Sequence, residues 1–94
     1  MNAVLYTTDN NEISITPQNG KCFELEELYS ILRCELIEVI DLNEDKIMII
    51  DEEGKFTNPI VNRKATEIAI KNRAIYEYDY IAGMAIVCDS DMLE

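Results

Sequence analysis

The chain has 94 residues and a mass of 10.8 kDa, room for one domain and not for two. Eight basic residues stand against nineteen acidic ones, a net charge of −11, which argues against direct nucleic-acid binding through phosphate contacts. Histidine is absent, and with it go Ser-His-Asp and Cys-His catalysis and every histidine-based metal site.

Val4-Leu5-Tyr6-Thr7 and Glu12-Ile13-Ser14-Ile15-Thr16 are β-type runs separated by the turn formers Asp9-Asn10-Asn11, and predict a first hairpin. The N-terminus lacks the basic and apolar regions of a secretory leader. Pro17, Asn19 and Gly20 then break the chain. A helix is predicted over 24–33, with Leu25, Leu28, Ile31 and Leu32 at helical spacing. Glu24, Glu26 and Glu27 load its first turn, where the helix dipole favours negative charge.

Residues 36–42 and 46–51 predict a second hairpin across Asn43-Glu44-Asp45, and Asp51-Glu52-Glu53-Gly54-Lys55 the turn after it. Asn58-Pro59 opens an extended link to Asn62, which stands where a helix cap belongs. The second helix is expected from Arg63 to Arg73 or Ala74, and the final strand from Ile81 to Cys88. The fold class is therefore α+β: one domain over 1–94, in the order β-β-α-β-β-α-β. A mainly antiparallel sheet should be covered by two helices. The expected core is Leu5, Ile15, Leu28, Ile31, Leu32, Ile37, Val39, Ile47, Ile49, Ile68, Ala69, Ile81, Ile86 and Cys88.

No apolar stretch approaches the ~20 residues of a membrane span. Cys22, Cys34 and Cys88 are odd in number and widely spaced, which reads as reduced thiols in a cytoplasmic protein. Cys34 and Cys88 fall in apolar settings suited to packing rather than to nucleophilic chemistry. Asp41, Asn43, Asp45 and Glu52 reproduce the ligand spacing of a calcium loop. Lys46 occupies the position that needs glycine, however, and strands flank the loop where helices belong. An acidic hairpin turn is the better account, and no metal or cofactor is implied.

Charge is uneven. Arg63, Lys64, Lys71 and Arg73 stand against Glu67 alone within the second helix. Its start, at Asn62, Arg63 and Lys64, is the candidate contact for an anion or an acidic group, competing with a simple capped, solvated helix. Tyr76, Tyr78 and Tyr80 alternate with Glu77 and Asp79, so in an extended chain the rings share one face. That ladder reads first as the amphipathic approach to the last strand, and second, through Tyr78, as a surface for a planar group.

From residue 24 onward the chain resembles a small family associated with bacteria, phages and mobile elements, domain of unknown function 3846. The likeness is carried by Asp51-Glu52-Glu53-Gly54-Lys55, by Pro59, Asn62 and Ala65 at their spacing, and by Ile81-Ala82-Gly83. Where members place two glycines between helix and strand, this chain has Cys34-Glu35. The resemblance implies a compact intracellular α+β domain and carries no activity or catalytic residues.

Three functions compete. The first is a non-catalytic acidic protein that binds a host or element-encoded protein, with negative charge imitating nucleic acid in a basic groove. The second is a small-molecule or nucleotide binder, with phosphate at Asn62-Arg63 and a ring on the tyrosines. An enzyme is third, lacking histidine, phosphate loop and metal motif. Edge strands leave homo-oligomerisation open.

Overall fold

The computed structural model describes residues 3–93. Its two hairpins form as their turn residues dictate. Strands β1 (Ala3–Tyr6) and β2 (Glu12–Ile15) pair antiparallel with Tyr6 opposite Glu12. Strands β3 (Ile37–Asp41) and β4 (Lys46–Asp51) pair with Asp41 opposite Ile47. Glu44 and Asp45 both adopt positive φ, 64° and 60°, in the turn between them. The acidic segment is thus a hairpin turn flanked by strands.

Strand β5 (Ala85–Asp89) runs between the hairpins and pairs antiparallel with β1 and with β4. The sheet order is β2-β1-β5-β4-β3, every pairing antiparallel. Each face carries its own core. Along β4, Ile47 and Ile49 point to one face and Met48 and Ile50 to the other, as a two-residue period requires. This explains the unbroken apolar run: β4 is buried on both sides.

Helix α1 (Leu25–Leu32) covers the first face with Leu28 and Leu32, one turn apart, against Ile47, Ile49, Ile86 and Cys88. Phe23 and Met92 complete that core. The Phe23 amide donates to the Met92 carbonyl at 2.6 Å, which ties the approach of α1 to the 3₁₀ turn Ser90–Met92. Helix α3 (Arg63–Lys71) covers the second face with Ala65 and Ala69, small side chains that bring the helix close to Met48, Ile50 and Ala85.

Five details differ from the sequence reading. Residues Gly54–Thr57, which begin inside the expected turn Asp51–Lys55, form a single-turn helix, α2, so the described residues form three α-helices. Helix α3 stops at Lys71, short of Arg73. Asn72 turns its side-chain amide back to the Ile68 carbonyl at 2.8 Å. Arg73 then takes φ 57°, with Arg73 N–H bonded to Ile70 and Ala74 N–H to Ala69. That double bond pattern closes a helix end.

Residues 81–84 are not strand. Their backbone is engaged by the segment before α3: Asn62 N–H donates to Ile81, Gly83 N–H donates to Ile60, and Val61 bridges Ala82. The tyrosines are not extended either. Asp79 N–H closes a turn onto the Tyr76 carbonyl, and Tyr76 and Tyr78 project into solvent, 71% and 85% exposed. Val39 lies on the edge strand, beyond the reach of α1, and is 41% exposed instead of buried.

Candidate functional site

Asn62 is fully buried, and its side chain spends every group on the protein itself. Oδ1 accepts from Ala65 N–H at 3.1 Å, the predicted cap. Nδ2 donates to the carbonyls of Tyr6 and Gly83, both at 2.9 Å. One residue therefore joins the end of β1, the start of α3 and the loop before β5. Any ligand contact at this helix start falls to Arg63, which is exposed, and to Lys64. Lys64 Nζ already holds the Glu12 carboxylate at 2.6 Å. Tyr78 lies elsewhere: its ring contact is with Tyr76, centroids 5.3 Å apart and planes within 3°.

The three stretches singled out in the sequence converge in space. Gly54 packs so tightly on the loop that an added Cβ would lie 2.6 Å from the Ala82 carbonyl oxygen. Gly83, at φ 80°, sits against the Asn58 side chain. Asn62 clasps Ile81 and Gly83. They build one end of the sheet, where β1 and β4 finish and β5 begins.

At that end lies a cleft of about 560 Å³, lined by Thr7, Thr8, Arg33, Asp51, Thr57 and Asn58 among others. Asp51 is fixed in it, accepting from the Thr57 hydroxyl at 2.8 Å and from Glu53 N–H at 2.9 Å. Arg33 reaches the rim from the left-handed residue that ends α1, φ 54°. Sequence reading missed this cleft because its residues are scattered over several connections, and only Asp51 and Gly83 fell within the motifs it singled out.

The charge layout is one-sided. Among the described residues, three of the eight basic side chains are tied to the protein's own carboxylates: Lys46 to Asp89, Lys55 to Asp79 and Lys64 to Glu12. The Lys55 and Lys46 ammonium groups hold Asp79 and Asp89 below the usual aspartate range through direct hydrogen bonds. Along the β3 edge and its turns, Glu35, Glu38, Asp41, Glu44, Glu52 and Glu53 are exposed and have no ion pair among the described residues. Burial pushes the Cys88 thiol up to about 11, so it is protonated and inert at neutral pH. Burial, with Asp51 adding in the same sense, also raises Cys34.

A family model described as "Domain of unknown function (DUF3846)" matches residues 1–92, and the chain belongs to that family. The match extends through the first hairpin, beyond the part in which the resemblance was read. No curated protein and no solved structure matches the chain.

Proposed function

We propose, with that membership as the premise and no activity in the family's description, that this is a non-catalytic acidic interaction protein. It engages a basic surface on a protein partner, in the manner of a nucleic-acid mimic. The observation that carries this reading is the β3 edge. Between Glu35 and Glu53 the chain sets eight acidic residues against Lys46 alone, and Lys46 is committed to Asp89. An edge strand of one sign, backed by a two-sided core, is a rigid array of charge. It speeds association with an opposite array and makes the complex salt-sensitive. The same reading fits a protein of phage or mobile-element origin acting on a host protein in the cytoplasm. The raised Cys34 and Cys88 thiols and the absence of histidine support a role without catalysis.

The test is a pull-down from host lysate at low and at high salt, repeated with Glu35, Glu38, Asp41 and Glu44 changed to Gln or Asn. A basic protein retained at low salt by the native chain and lost with the neutralised edge is the expected result. Equal capture by both forms would refute it. The cleft favours a second reading, a small hydroxylated ligand held by Arg33, Asp51 and the threonines. Native mass spectrometry of protein from its own host would reveal such a ligand directly.

A further inference from the structure

The domain has seven aromatic residues, and three of them stand almost wholly in solvent: Phe56 at 89%, Tyr78 at 85% and Tyr76 at 71% exposed. They belong to two segments, α2 and the 76–79 turn, that are clamped together. Lys55 Nζ binds the Asp79 carboxylate and lies 4.5 Å from the centroid of the Tyr80 ring. The clamp shows what this surface does to a cation. It offers a tyrosine face and a carboxylate at once, a pairing that favours an ammonium or guanidinium group.

Beside the clamp, Tyr76 and Tyr78 stack on each other with Glu77 between them in the chain, and among the described residues no basic side chain is placed on these two rings. Glu38 of the β3 edge lines a groove with Lys55, Phe56 and Tyr80, and a second groove with Arg73, Tyr76 and Asp79. The exposed rings are thus continuous with the acidic edge. Guanidinium suits such a place better than ammonium, because it is planar, weakly hydrated and able to stack while pairing with a carboxylate.

We propose that Phe56, Tyr76 and Tyr78, with Glu38 and Glu77, form a docking surface for an extended arginine-bearing segment of a partner protein. This rests on the acidic-interaction reading and gives the partner its chemistry. The exposed carboxylates of Glu77 and the adjoining β3 edge outnumber Lys55 and Arg73 here, which sets the occupant as basic, and the rings select arginine over lysine.

The experiment uses the whole chain and two synthetic peptides of equal length, one alternating Arg with Gly and one Lys with Gly. Affinities come from calorimetry at low and moderate salt, and the site from ¹⁵N chemical-shift mapping. The arginine peptide should bind at least about threefold tighter than the lysine peptide. The double variant Tyr76→Ala with Tyr78→Ala should weaken it about tenfold with unchanged circular dichroism. Shifts should centre on residues 54–57 and 76–80. Should the double variant misfold, Tyr78→Ala alone carries the comparison. Equal affinity for the two peptides, full binding by the tyrosine variant, shifts centred elsewhere, or no binding of either peptide each overturns the docking surface. The acidic-interaction reading survives these failures if the native chain still captures a basic protein in a salt- and edge-dependent way; it falls only when that capture fails too.

Discussion

At the scale of single residues, Asn62 separates two jobs that a sequence cannot tell apart. A helix cap needs only an acceptor, and aspartate caps as well as asparagine. Here the side-chain amide also donates to two buried carbonyls, on Tyr6 and Gly83. Asn62→Asp should therefore be at least as damaging as Asn62→Ala, since it sets a buried carboxylate against two carbonyl oxygens. We expect the alanine variant to lose about 3 kcal/mol in urea unfolding, combining a lost cap with buried groups left unpaired. An aspartate variant as stable as the native chain would reduce Asn62 to a cap. Gly54 offers a second contrast. Its Cβ would meet backbone at 2.6 Å, whereas a Cβ at Gly20 meets nothing within 4 Å. Gly54→Ala should cost about 2–3 kcal/mol, more than Gly20→Ala, where a φ of 77° adds only local strain of about 1 kcal/mol. Matched melting curves for the two variants would contradict this.

At the scale of elements, local chemistry was readable and long-range engagement was not. The hairpins and α1 follow from turn residues and spacing that lie within a few positions of one another. Residues 81–84 have the same β-type composition as β5, but residues 60–62 claim their backbone first, a pairing that no local pattern announces. Phe23 and Met92 are buried and were not foreseen, because each owes its burial to a neighbour distant in sequence. The candidate site was legible in the same degree. The cap at Asn62 was foreseen, while its bracket to β1, the cleft and the exposure of Phe56 required the fold. The clamp between α2 and the tyrosine turn has its own pH signature. Asp79 is held below its ordinary value in the fold by Lys55, so its contribution is complete above the ordinary aspartate pKa. It fades as pH falls through the lowered value. Lys55→Met should therefore be less stable than the native chain at neutral pH, and the gap should close in acid. A gap that persists in strong acid would mean that the lysine acts through packing instead.

At the scale of the whole molecule, charge works against compactness. With a net charge of −11 on a domain whose Cα radius of gyration is 12.1 Å, like charges repel within roughly one to two screening lengths at low salt. Sodium chloride raised from about 20 mM to about 300 mM should lift Tm by a few degrees, against the small losses of exposed ion pairs such as Lys46–Asp89, Lys55–Asp79 and Lys64–Glu12. Calorimetry showing a constant or falling Tm would place more of the stability in those pairs than their exposure suggests. The position of β5 has a different consequence, in the order of synthesis. Val87 joins Val4 on one side and Met48 on the other. As the chain leaves the ribosome, both hairpins emerge before the strand that unites them. Until residue 89 is free, each hairpin exposes an unpaired strand edge and one uncovered flank of each core. The nascent domain spends its synthesis as two separate halves, and its cooperative folding waits for a single late segment.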